Sequence, residues 1–173
     1  VAHAFNDVLF KGLLFMSMGA VLHVTGKSRG TDLGGLWKKM PWTTGLCIVG
    51  AASISAVPLF SGFVSKSMVM AAAMEQGHTW LWLLLLFASA GVLEHAGIKI
   101  PYFAFFAHDR GLEGRDPPRN MLLAMLLGAG LCILIGCRPD LLYSMLPYNV
   151  SFEPFTTTHV LIQIQLLLFA SMA

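Results

Sequence analysis

The chain has 173 residues, 56% of them hydrophobic and only 12% charged, with a formal net charge of +2 and a mean hydropathy of +0.71. A soluble domain carries about 25% charged residues, so this composition excludes an ordinary water-soluble fold and places the chain in a membrane. No dense basic face with interleaved aromatics points to nucleic acid. No Ser/His/Asp set, Gly-rich phosphate loop or clustered Cys/His group points to catalysis, a cofactor or a metal.

The expected fold is all-α, a polytopic bundle of transmembrane helices. The first segment, about residues 3–24, is rich in Leu, Met, Phe and Ala, is closed by Gly26, and exceeds the ~20 residues a crossing needs. His3, Asp7 and Lys11 fall four residues apart and form one polar stripe on it. That spacing suits a water-bridged proton relay; the plainer alternative is a static Asp7–Lys11 ion pair that only holds helices together. Residues 25–40 then read as a loop, with several glycines and the cations Lys27, Arg29, Lys38 and Lys39.

The run 43–76 holds the strongest signal. Pro58 removes a backbone donor and breaks a helix near Val57; Gly62 is expected to add a flexible point; Lys66 puts an ammonium on a stretch otherwise free of charge. Irregular backbone survives in a bilayer only where protein or a wet cavity surrounds it, and half-helix ends at mid-depth are how secondary transporters build ion sites. The run is therefore expected to be a discontinuous helix with Lys66 as its ion-handling group. Snorkelling is a poor alternative for Lys66, because residues 60–65 before it and 67–74 after it leave no near end to reach.

Loop charge decides how often 43–76 crosses. Residues 25–40 and 107–119 both carry Lys or Arg, whereas the link 75–79 carries neither. One crossing puts the two basic loops on one side, as the positive-inside rule expects.

Residues 79–106 form the next helix, opened by Trp80 and Trp82 and bent by Pro101 near its end. It carries Glu94, His95 and Lys99 as weaker pathway candidates. At a five-residue offset on an α-helix, Glu94 faces a different side from Lys99. After the loop 107–119 comes a plain span, about 120–142, interrupted by Arg138 and Pro139, and a last, truncated helix over about 158–173. His23, His78, His108 and His159 lie at segment ends and read as interfacial. Cys47, Cys132 and Cys137 read as small buried hydrophobes.

Several stretches carry a resemblance to a known family. HAFNDVLFKGLLFMSMGAVLHVTG, DLGGLWKKMPWTTG and SAVPLFSGFVSK resemble the antiporter-like membrane subunits shared by proton-pumping NADH:quinone oxidoreductase (complex I), Mrp-type Na⁺/H⁺ antiporters and membrane-bound hydrogenases. IKIPYFAFFAHDRGLEGRDPPRNMLLAM and LPYNVSFEPFTTTHVLIQIQLLLF look most like the D-type component of the Mrp antiporters. The resemblance implies two inverted five-helix repeats, each with one broken helix. Residues 1–106 would belong to the second repeat and residues 107–173 to the helices after it, making the chain a C-terminal-half fragment. It further implies a bacterial cytoplasmic membrane, other membrane subunits as partners, and translocation of H⁺ and Na⁺.

Residue by residue, Lys11 matches the family's central lysine, Lys66 the terminal lysine or glutamate on the broken helix, and His3 a histidine leading to the central lysine. Two positions depart from the pattern. Relatives often carry His where this chain has Asp7, which gives Lys11 an acid in place of an imidazole; Glu94 stands where an apolar residue is expected.

Overall fold

The structure, a computed structural model, describes residues 1–172, and every regular element among them is helical. Helix α1 (Ala2–Thr25) closes at Gly26, whose N–H returns to Leu22 O at 2.8 Å. Pro41 opens α2 (Pro41–Ile54), a position where its missing N–H loses nothing. Residues 55–60 then leave the helix, and α3 (Ser61–Glu75) follows. The discontinuity expected at Pro58 is therefore present, with Ala56 and Leu59 both at positive φ (58° and 75°).

Contacts along α1 show how the two halves lie. Gly50 meets Leu14, Gly62 meets Phe10, Asn6 bonds Ser61, and His3 reaches Ser65. The order descends α1 as it ascends the chain, so α2 and α3 run head to tail as one antiparallel crossing. With 14 and 15 residues, the halves are roughly 21 and 22 Å long at 1.5 Å per residue. The break thus falls near the middle of the crossing.

The chain returns through α4 (Thr79–Val92), which continues as one rod to Phe106. In place of a simple bend at Pro101, the rod widens into π turns over Leu93–Lys99 and Tyr102–Phe106. The loops at the two ends of this hairpin of crossings meet. Lys39 Nζ donates to Leu112 O at 2.6 Å, and Asp116 Oδ1 accepts from Thr43 N and Oγ1 at 3.0 and 2.9 Å, anchoring the start of α2. The two basic loops therefore share one end of the bundle.

Helix α5 (Arg119–Cys137) stops earlier than the expected residue 142. Arg138 leaves the α region (φ −130°, ψ 74°), as the residue before a proline tends to, and Pro139 starts the separate short helix α6 (Pro139–Tyr143). Helix α7 (Thr157–Ser171) begins with Thr156 Oγ1 accepting from His159 N; Ala173, the last residue of the expected span, lies outside the described residues.

The core joins α1, α2, the far end of the rod 79–106 and α5 through Phe10, Leu14, Cys47, Ile54, Phe105 and Cys132. Cys47 and Cys132 are buried as expected. Cys137 is not: it is exposed, with Sγ 3.8 Å from Leu59 O.

Helices α1, the rod 79–106 and α5 are each long and apolar enough to span a bilayer.

Candidate functional site

A helix that stops inside a membrane leaves carbonyls with no water to receive them, so their partners identify what the break is built to hold. At the end of α2, Ser53 O accepts from Ala56 N and Ala52 O from Val57 N, both at 3.0 Å. This pair of bonds, with Ala56 left-handed, is a Schellman ending. It leaves Ile54 O and Ser55 O. Lys66 Nζ donates to Ile54 O at 2.6 Å, and Gln163 Nε2, from α7, donates to Ser55 O at 3.2 Å. The ammonium of α3 thus folds back onto the negative end of α2.

Lys66 Nζ also lies 3.5 Å from Ser89 Oγ on α4. Among the described residues no carboxylate lies within ion-pair distance of it. A cavity of about 180 Å³ adjoins it, lined by His3, Lys66, Met70 and Ser89 among others. His3 Nδ1 lies 3.1 Å from the Ser65 Oγ next in sequence to Lys66. The structure therefore brings His3 and Lys66 together at the break, on helices that are distant in sequence.

The other residues singled out from the sequence are placed differently. Pro58 lies inside the break. Gly62 does not act as a flexible point: it is buried in the first turn of α3, where a Cβ would collide with the Ser53 carbonyl. Asp7 and Lys11 form an ion pair at 2.7 Å, with the Lys11 side chain 60% exposed on the outer face of α1. They share the stripe with His3 but do not line the cavity beside Lys66.

Glu94 and Lys99 are the clearest correction. They do share a face, with Nζ 3.0 Å from Oε1, because π winding brings residues five apart into register. With His95, Lys99 lines a separate cavity near Ser28 and Phe103, away from Lys66.

Three polar residues at the break escaped the sequence reading. Asn6 is fully buried and donates through Nδ2 to Ser61 O at 2.9 Å. Gln163 is buried against Ser55 O, and Ser89 faces Lys66. None is charged, so none stands out in a composition scan. The detectable signal is one amide inside an otherwise apolar helical run, at Asn6 and again at Gln163.

Chemically, the arrangement holds a single amine by neutral dipoles, beside an imidazole and a small cavity. It can bind a proton at Nζ, and it supplies a neighbour able to exchange one.

Residues 1–91 match the family described as NADH:quinone oxidoreductase/Mrp antiporter, TM. Hydrogenase-4 component B of Escherichia coli (strain K12) is 33% identical over 147 residues, 78% of this chain and 22% of that protein. The Na(+)/H(+) antiporter subunit A1 of Staphylococcus haemolyticus (strain JCSC1435) is 31% identical over 170 residues, 91% of this chain and 20% of that protein. NADH-ubiquinone oxidoreductase chain 5 of Dugong dugon is 30% identical over 168 residues, 90% and 28% of the two chains. The chain thus spans between about a fifth and under a third of these relatives. A helical bundle with a half-helix end capped by lysine in mid-crossing, together with this match, makes the chain an integral membrane protein belonging to the NADH:quinone oxidoreductase/Mrp antiporter transmembrane family.

Proposed function

We propose that the chain is part of a membrane subunit of a multisubunit monovalent cation (Na⁺)/proton antiporter and moves protons through a lysine-centred relay. Lys66 is the exchanging group, His3 its neighbour through Ser65, and the Asp7–Lys11 pair the continuation along α1. In this reading residues 1–106 belong to the second antiporter-like repeat and the later helices pack outside it. The Glu94–His95–Lys99 group stands apart from the relay.

The observation that carries the reading is the Lys66 ammonium on Ile54 O, the carbonyl end of a half-helix in mid-crossing. Broken helices in transporters place such ends at their ion sites. Among the described residues the amine is met by neutral groups alone, the Ile54 carbonyl and the Ser89 hydroxyl.

Two outward-facing ion pairs, Asp7–Lys11 and Glu94–Lys99, support partner membrane subunits. Charges facing hydrocarbon are expensive, whereas a neighbouring protein helix offers them polar cover. The reading places the assembly in a bacterial cytoplasmic membrane.

Replacement Lys66→Ala in the parent assembly is expected to abolish ΔpH-driven Na⁺ exchange in inverted membrane vesicles, with protein levels unchanged. Undiminished exchange would contradict the reading.

A second reading rests on the similarity to hydrogenase-4 component B and chain 5. The same module would then be the proton-pumping arm of a redox complex, with the redox chemistry in partner subunits. Co-purification with flavin and iron–sulfur subunits favours that reading; their absence from an assembly that still exchanges cations favours the antiporter.

A further inference from the structure

A groove of about 230 Å³ runs between α2 and α5, lined by Trp42, Leu46, Arg119, Leu122, Leu123 and Leu126, none of which touches the break or Lys66. Its floor is core: Leu46 is buried in a cluster with Leu13 and Met125, and Leu122 packs against it. Its rim is open, with Leu123 and Leu126 both exposed.

Trp42 and Arg119 close the groove at the end of the bundle that carries the basic loops. Trp42 is the second residue of α2 and Arg119 the first of α5, and both are exposed. Tryptophan at the start of a crossing marks the headgroup level. From Arg119 to Leu126 the helix rises by roughly 10 Å at 1.5 Å per residue, so the groove descends from that level into hydrocarbon.

The charge at its mouth is unmatched. Asp116, three residues before Arg119, is engaged at the start of α2, where its carboxylate accepts from Trp42 N at 3.3 Å and from Thr43 N and Oγ1. Among the described residues no carboxylate lies within ion-pair distance of Arg119. Below the guanidinium the wall is leucine. Helices that pack on one another in a bilayer meet through small or polar side chains, and this wall offers neither. A phosphate suits the fork of a guanidinium, and an acyl chain suits the leucines beneath it. A zwitterionic headgroup brings its own cation, which Arg119 repels; an anionic headgroup brings none.

We infer that the groove between α2 and α5 binds an anionic phospholipid, with its phosphate on Arg119, its glycerol region against Trp42 and one acyl chain along Leu122, Leu123 and Leu126. A lipid so held bridges the starts of α2 and α5 on the outside of the bundle. The site stands apart from Lys66 and does not depend on how protons cross the protein.

The test reads the identity of the lipid in the groove. The parent assembly, carrying Leu123→Cys with the exposed Cys137→Ser, is labelled with bimane and reconstituted into phosphatidylcholine vesicles. A small, fixed fraction of the lipid is replaced by phosphatidylglycerol or by phosphatidylcholine brominated at mid-chain, where bromine quenches on contact. Signal from the same assembly without Leu123→Cys is subtracted. Phosphatidylglycerol is expected to be enriched about fivefold over phosphatidylcholine at this position, the selectivity that one arginine gives at a membrane surface. Arg119→Gln is expected to remove the preference. At Phe87→Cys, on the exposed side of α4, the two lipids are expected to quench alike.

Equal quenching at Leu123→Cys by the two lipids overturns the assignment, because the groove then takes whatever lipid surrounds it. Quenching by neither also overturns it and marks the groove as covered by protein. So does a preference that survives Arg119→Gln, or one that is equally strong at Phe87→Cys.

Discussion

Among the amines inside the membrane-spanning part of this chain, Lys66 and Lys99 sit in opposite surroundings. Lys99 is matched by a carboxylate 3.0 Å away, supplied by its own helix through one wide π turn. Lys66 has no such partner among the described residues; an orphaned carbonyl from α2 and a hydroxyl from α4 receive it. The first is a local pair that needs nothing beyond its own helix. The second exists only because the chain breaks, and it joins three helices. The contrast teaches that a charge inside a membrane is not by itself a functional mark. What distinguishes Lys66 is that its partners are themselves the product of an interrupted helix.

The comparison can be broken at the larger effect first. Gly62→Ala places a methyl group against the Ser53 carbonyl, where neither backbone can yield easily. It is expected to destabilise the protein by about 3 kcal/mol, the upper range for overpacking, read as a lowered melting temperature in detergent. A neutral result would mean that α2 and α3 do not meet as described.

The smaller effect sharpens the other side. Glu94→Gln removes a pair whose side chains are 57% and 48% exposed. It is expected to leave cation exchange in inverted vesicles unchanged, since the pair stands apart from Lys66. A transport loss matching that of Lys66→Ala would erase the distinction drawn between the two amines.

The fold was legible where a single residue forces the outcome. Pro58 announced the break and loop charge the single crossing of α2 and α3, whereas Pro139, read as an interruption inside a span to residue 142, in fact follows the end of α5. Legibility failed where the outcome depends on winding or on uncharged groups. Nothing in the spacing of Glu94 and Lys99 signals a π turn, so an α-helical reading separated two residues that touch. The left-handed residue ending α2 is Ala56, where a sequence reading looks for glycine. Asn6 and Gln163 are single amides in apolar runs, and their roles follow from carbonyls that lie far away in sequence. That Lys66 lies beside the break could be read in advance from its closeness to Pro58; its partner, the Ile54 carbonyl, could not.

The central claim is that Lys66 carries a proton and does not merely cap α2. Lys66→Arg separates these roles, since a guanidinium can still donate to Ile54 O but does not release its proton in a protein. Measured as ΔpH-driven Na⁺ exchange in inverted vesicles containing normal amounts of the assembly, exchange is expected to be lost, as in Lys66→Ala. Exchange at the parent rate with arginine in place would contradict the account.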